Sequence, residues 1–234
     1  MIEEFDVTRR RLLQASGAFG ALATMAPLCP ALASDEGEEI YKWALADVTP
    51  STVPGPFYPL VNKPIDPNTD LTRSNGADQR VKGQSLYLMG QVLNIKGKPV
   101  KGVEVEIWQA NAAGRYSHPS DGNQAPLDPN FKGYGVAVTD AEGRYRFKTI
   151  MPGAYPVVPG WDRAPHIHID LTGRTDRQTT QMWFPDHPLN AQDRLFVNYP
   201  LPARKMLTCK IEAATGNMEP DAKIALFNVI VPNG

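Results

Sequence analysis

The chain has 234 residues, 42% of them hydrophobic, and a formal net charge of -1. That length suits one domain with appendages and a core large enough to stand without disulfides. The near-neutral charge excludes the basic footprint of a nucleic-acid binder and a polybasic membrane patch, which leaves a small molecule or a protein as partner.

The N-terminus reads as a targeting segment. Thr8-Arg9-Arg10-Arg11-Leu12-Leu13 precedes an apolar, small-residue run to Leu28 and then Ala31-Leu32-Ala33, the pattern of a twin-arginine export signal with a small-x-small cleavage site. Ser16, Gly17, Gly20, Thr24 and Pro27 interrupt the run, so it is too weak for a stable membrane span. Residues 1–33 are therefore expected to be removed and the chain to be exported, periplasmic or extracellular, with no stable membrane insertion afterwards. Cys29 leaves with the signal, and Cys209 alone cannot form an internal disulfide.

Residues 34–84 read as an N-terminal arm and pocket loop. The arm is acidic, with a weak helical period through Ile40, Trp43 and Leu45. Prolines at 50, 54, 56 and 59 forbid helix and central strand, so this stretch is an extended, ordered loop.

From residue 85 to 234 short alternating runs dominate. Leu86 to Asn94 and Val103 to Trp108 flank the turn residues Lys96-Gly97-Lys98-Pro99 and form a hairpin. Further strands are expected at Phe131 to Thr139, Arg144 to Lys148, His166 to Leu171, Thr179 to Phe184, Met206 to Ala213 and Ile224 to Val231. Residues 186–199 read as loop with a helical turn. About eight short strands without a long helical period indicate an all-β fold, an antiparallel β-sandwich with long loops.

The chemistry concentrates in Tyr155 to His168. In Ala164-Pro165-His166-Ile167-His168-Ile169-Asp170-Leu171 the strand alternation sends both imidazoles to one face and Ile167, Ile169 and Leu171 to the other. Two imidazoles on a rigid face are half a metal site; a strand whose polar face merely carries histidines is the plainer explanation. Only four histidines exist, and two of them stand here. Fe³⁺ is a hard ion that favours oxygen anions, and its charge offsets the cost of deprotonating a phenol. Two tyrosinates beside the two histidines would thus make a ferric site. Tyr155 and Tyr116 are candidates, but the chain has eight tyrosines and spacing does not choose among them.

Gln109-Ala110-Asn111-Ala112-Ala113-Gly114-Arg115-Tyr116, Leu127 to Phe131, Thr149 to Pro156 and Arg163 to His168 resemble the intradiol ring-cleavage dioxygenases, the protocatechuate 3,4-dioxygenase chains especially. Thr52 to Tyr58 resembles the loop leading into that family's catalytic domain, and the resemblance runs from about Thr49 to the C-terminus. It implies a non-haem Fe³⁺ held by Tyr116, Tyr155, His166 and His168, with Tyr155 and His166 axial and Tyr116 and His168 equatorial. It also implies cleavage of a catecholic ring with O₂ to a cis,cis-muconate, with the metal as Lewis acid and template. Tyr155 would accept a substrate proton. Arg163 and Gln181 would face the ring and stabilise developing negative charge. Pro56 and Tyr58 would help wall the substrate pocket, with Trp108 packing nearby.

Two departures stand out. The segment from Tyr155 to His166 is shorter than in protocatechuate enzymes, and Val157 occupies a position usually aromatic, with Trp161 a candidate substitute. No long helical N-terminal region of the kind that dimerises catechol 1,2-dioxygenases is evident, which favours a protocatechuate-like or export-adapted branch; a homo-oligomer stays open. A competing resemblance exists. Gly90 to Ile107 and Thr139 to Tyr155, with Gly-x-Pro-Val-x-Gly-Val and Thr-Asp-x-x-Gly-x-Tyr-x-Phe patterns, also look like transthyretin-like or adhesin B-type modules, which bind without catalysis. Fold does not decide between the two; the ligand constellation does.

Overall fold

A computed structural model describes residues 48–59, 69–73 and 80–233. The export signal, the arm with Ile40, Trp43 and Leu45, and residues 60–68 and 74–79 lie outside the described residues.

The described chain is built mainly of strands. In order they are β1 (Ser85–Asn94), β2 (Glu104–Trp108), β3 (Tyr134–Val138), β4 (Arg144–Ile150), β5 (Tyr155–Val158), β6 (Trp161–Arg163), β7 (His166–Thr172) and β8 (Arg177–Trp183). A 3-10 turn (Pro188–Ala191) and two short helices, α1 (Arg194–Val197) and α2 (Leu201–Met206), lead to β9 (Lys210–Ala213), β10 (Lys223–Leu226) and β11 (Val229–Val231). One sheet runs β11-β1-β10-β9 with β4 also paired to β1, another runs β3-β2-β7-β8, and β5 and β6 form a separate hairpin.

Five expectations change, the first being the hairpin of β1 with β2: the two strands lie in different sheets, β1 pairing with β4, β10 and β11 and β2 with β3 and β7. There are eleven described strands rather than about eight, and the first sheet is mixed, because β10 and β11 both pair parallel with β1. The run from Ile224 to Val231 breaks at Phe227-Asn228. There the Asn228 side chain replaces the backbone as acceptor for Gln91 N–H at 2.9 Å, while the Tyr145 hydroxyl donates to Phe227 O at 2.6 Å. The stretch from Met206 enters its strand only at Lys210, because Leu201 to Met206 is helical, opened by prolines at 200 and 202.

The two large sheets share one hydrophobic cluster. Leu86, Leu88 and Phe147 come from the first sheet, and Ile107, Ile167 and Ile169 from the second, all with no solvent exposure. Each such side chain contributes about 1.5–3 kcal/mol on burial. Cys209 joins this cluster as a buried free thiol, its pKa pushed up to about 12 by burial.

The other face of the second sheet carries the polar side chains of β7. Its register sets Trp108 of β2 opposite His168, and His168 opposite Gln181 of β8; His166 pairs with Trp183. This face is buried too, and the proline-rich loop helps to cover it. Thr52 N–H donates to Thr179 O at 2.9 Å, and Gln181 Nε2 donates to Val53 O at 2.7 Å, fixing residues 52–53 along β8.

Candidate metal centre

Strand β7 supplies the two imidazoles. His166 and His168 are each 2% exposed, project from the same face, and bring their Nε2 atoms to 3.2 Å. Ala164 O lies 2.6 Å from His166 Nδ1, and a carbonyl can only accept, so His166 carries its proton on Nδ1 and its lone pair on Nε2. His168 Nδ1 is buried without a hydrogen-bond partner. Burial holds both imidazoles well below the ordinary value of 6.5. The next contributions are Arg163 for His166, and His166 and then Arg163 for His168. Both rings are therefore neutral, the state in which imidazole donates to a metal.

The phenols arrive from two separate segments. Tyr116 follows a loop organised by Asn111, whose Oδ1 accepts from Ala113 N–H at 2.9 Å and Arg115 N–H at 3.0 Å; Asp121 then accepts Tyr116 N–H at 2.7 Å. Tyr155 opens β5 and pairs with Arg163 across the hairpin. The two rings meet edge-on with centroids 5.4 Å apart. Tyr155 lies 5.6 Å from the His166 ring and Tyr116 6.2 Å from the His168 ring. The Tyr116 hydroxyl is buried and makes no well-formed hydrogen bond. Burial, and then the neighbouring Tyr155, raise its pKa well above the phenol value of 10.0. Tyr155 is also raised by burial, with Arg163 the main opposing influence.

These four side chains suit a hard trivalent cation. They offer two neutral imidazole nitrogens and two phenol oxygens, and a bound cation would reverse the cost of ionising those phenols. The Tyr116 hydroxyl, buried without a well-formed hydrogen bond, and the opposed Nε2 atoms are what such an ion would satisfy. Among the described residues no group of three or more His, Cys, Asp or Glu side chains gathers in this way, so the phenol–imidazole set is the candidate centre.

Arg163 and Gln181 are brought to the same place. Arg163 is 4% exposed; its Nη2 donates to Gln181 Oε1 at 2.7 Å, and its Nε lies 3.1 and 3.0 Å from the two Asp193 oxygens. Pro56 is exposed on the loop. Tyr58 sends its hydroxyl to Glu106 Oε2 at 2.7 Å and sets its ring against Trp108, with centroids 4.8 Å apart. Val157 is 43% exposed, and Trp161 lies under the Arg194 guanidinium of α1, 5.2 Å from its centre.

Trp108 packs at the cluster as expected, while the other aromatic neighbours of the cluster and Gly55 carried no chemical signature of their own in the sequence. Phe57 lies against both phenols, 4.7 Å from Tyr116 and 6.2 Å from Tyr155. Trp108 stacks on His168 at 4.8 Å with an interplanar angle of 8°, and Trp183 on His166 at 5.8 Å. Gly55 (φ +73°) comes so close that a Cβ there would stand 3.3 Å from His168 Cε1. Asp193 had only a helix-cap signal, an aspartate ahead of Arg194-Leu195-Phe196.

Comparison with known proteins places the chain among dioxygenases. The chain is 47% identical over 154 residues to the protocatechuate 3,4-dioxygenase beta chain of Burkholderia cepacia, covering 62% of this chain and 64% of that one. It is 36% identical over 109 residues to a catechol 1,2-dioxygenase of Candida albicans, covering 47% of this chain and 33% of that one. The chain thus spans less than two thirds of either relative. Among solved structures it is similar to the dioxygenase domain of a dioxygenase and carbohydrate-binding fusion from Streptomyces sp. SirexAA-E, at 28% identity and a TM-score of 0.59. That match covers 80% of this chain and 100% of that domain. A family model described as Dioxygenase matches residues 53–230, and the chain belongs to that dioxygenase family.

Proposed function

We propose that the chain is a non-haem Fe(III) intradiol dioxygenase that cleaves the ring of a catechol with O₂ to a cis,cis-muconate. Catechol, protocatechuate and hydroxyquinol are the substrate class. The ligands are Tyr116, Tyr155, His166 and His168. What carries this reading is the convergence of two phenols from distant segments on two neutral imidazoles, with the Tyr116 hydroxyl buried beside Tyr155 and without a well-formed hydrogen bond. A purely binding module has no use for two phenols and two imidazoles gathered at one buried point.

Held by Tyr116, Tyr155, His166 and His168, Fe³⁺ would supply a Lewis acid and template that makes a bound catechol reactive towards O₂. The chain's own groups do the rest. Tyr155 Oη accepts one proton of the incoming catechol, aided by Arg163, whose charge favours the phenolate beforehand. Arg163 and Gln181 are fixed to each other and stabilise negative charge that develops on the ring. The aromatic rings of Phe57, Trp108 and Trp183 exclude water and restrain the imidazoles. Pro56 and Tyr58 belong to the segment that walls the pocket.

Residues 1–33 are the export signal, 34–84 the arm and pocket loop and 85–234 the catalytic domain, and the mature protein acts outside the cytoplasm. Oxygen uptake with catechol, protocatechuate and hydroxyquinol, read together with product absorbance, tests the function. Uptake matched by a ring-opened product is expected with at least one of them, and no uptake with any of the three would overturn the assignment.

A further inference from the structure

Asp193 is the most heavily used carboxylate of the site's surroundings. It has no solvent exposure and stands before α1, outside every motif that carries the metal ligands. Its oxygens receive Arg163 Nε at 3.1 and 3.0 Å, Ala164 N–H at 3.2 Å and Trp183 Nε1 at 3.2 Å. Leu195 N–H at 3.0 Å and Phe196 N–H at 3.5 Å complete the set. The last two bonds cap the helix, and a helix of four residues does not need a buried carboxylate for that alone.

The first three partners all border the centre. Arg163 reaches Gln181 and influences both phenols and both imidazoles. Ala164 carries the carbonyl that fixes the tautomer of His166. Trp183 stacks on His166, and the Arg163 guanidinium sits 5.8 Å from the Trp183 ring centre. A single side chain therefore sets an arginine, a backbone step and an indole together.

We infer that Asp193 is the positioning residue of the site, holding the Arg163 guanidinium, through its Nε, in the orientation that presents Nη2 to Gln181 and to the ring of the substrate. The chemistry of the pairing supports this. A guanidinium is a rigid planar fork of five donors, so fixing Nε against a carboxylate also fixes the direction in which Nη1 and Nη2 point, and Nη2 falls on Gln181. Asp193 also offsets the positive charge of Arg163, and its carboxylate is itself held by four further donors, Ala164 N–H, Trp183 Nε1, Leu195 N–H and Phe196 N–H. The role is exerted through Arg163, and Asp193 touches neither the ligands nor the substrate.

The inference rests on the dioxygenase reading above, and its test separates the two. Wild type, Asp193→Asn, Arg163→Gln and the double variant are loaded with iron and compared for kcat and for catechol affinity without oxygen. In Asp193→Asn, kcat should fall roughly 10- to 100-fold, the scale of a misaligned catalytic group, while anaerobic catechol affinity stays within about threefold. In the Arg163→Gln background the same substitution should lower kcat by less than about twofold, because there is no arginine left to orient. Equal losses in both backgrounds, or a kcat near wild type in Asp193→Asn, would overturn the inference. An inactive wild type would instead strike at the dioxygenase reading. If Asp193→Asn does not accumulate folded, Asp193→Glu replaces it in the same cycle. It keeps the charge and displaces it by one methylene, and the same comparison decides.

Discussion

The Nε2 atoms of His166 and His168 face each other at 3.2 Å inside a fully enclosed site. Two lone pairs so close repel unless a proton or a cation lies with them, and His166 has already committed its proton to Ala164 O. In the metal-free protein a neutral His168 can carry its proton on Nε2 and donate it to His166 Nε2, and a cation bound there would replace that proton and take both lone pairs. The surroundings of the pair, from the stacked Trp108 to the two phenols, are arranged around that position.

Acid should destabilise the metal-free protein through these two rings. Both have folded-state pKa values lowered below 6.5, so the unfolded chain binds more protons than the folded one as pH drops. Their contribution is intact above pH 6.5 and is lost below it, by up to about 1.4 kcal/mol per pH unit for each histidine. Urea unfolding of metal-free protein at pH 7.5, 6.5 and 5.5 should show that fall, and His168→Gln should make it shallower. A profile indifferent to His168→Gln would contradict the burial of a neutral ring.

Tyr116→Phe should have opposite effects on the two forms of the protein. Without metal it removes a buried hydroxyl with no well-formed hydrogen bond, so stability should hold or rise by about 1 kcal/mol. With metal it deletes an oxygen ligand, so bound iron and ring cleavage should drop by at least about 100-fold. Denaturation of the metal-free variant and its iron content after loading check both halves. A metal-free variant destabilised by 2 kcal/mol or more would mean that the hydroxyl is a structural group.

Gly55→Ala should disturb the centre while Gly160→Ala does not. Both glycines have positive φ, +73° and +78°, so each substitution carries backbone strain of about 1–2 kcal/mol. Only at Gly55 does the new Cβ press on His168, at 3.3 Å from Cε1; at Gly160 nothing lies within 4 Å. Iron affinity, measured by chelator competition, should weaken about tenfold or more in the first variant alone. Equal affinities would show that the loop does not support the imidazole.

Much of this centre can be read from the chain itself, because β7 is a local pattern. Ile167, Ile169 and Leu171 alternate with His166, His168 and Asp170, and burial of the first set forces the second onto one face. Tyr116 and Tyr155 were nameable only through family motifs, since a strand period says nothing about which distant phenol folds back. Phe57 and Asp193 escaped because their roles arise from tertiary contacts, one a loop ring against two phenols and the other a cap that turns towards Arg163. The parallel pairing of β1 with β10 and β11 escaped for the same reason. Alternation marks the faces of a strand and leaves the direction of its neighbour unspecified.

Tyr58→Phe and Phe57→Ala should separate support from substrate contact. Tyr58→Phe removes the bond to Glu106 at 2.7 Å and should cost about 1 kcal/mol of stability, with turnover within about threefold of wild type. Phe57→Ala uncovers both phenols and should raise the catechol KM about tenfold, the scale of losing a buried aromatic contact. Steady-state kinetics on both variants, with thermal unfolding alongside, decide between these assignments.

The most direct measurement is the metal content and visible spectrum of the purified protein. The account predicts about one Fe³⁺ per chain and a phenolate-to-iron band, and both the band and ring cleavage should vanish on chelation and return with added iron. A colourless, iron-free protein that still cleaves catechols at an undiminished rate after chelation would contradict it.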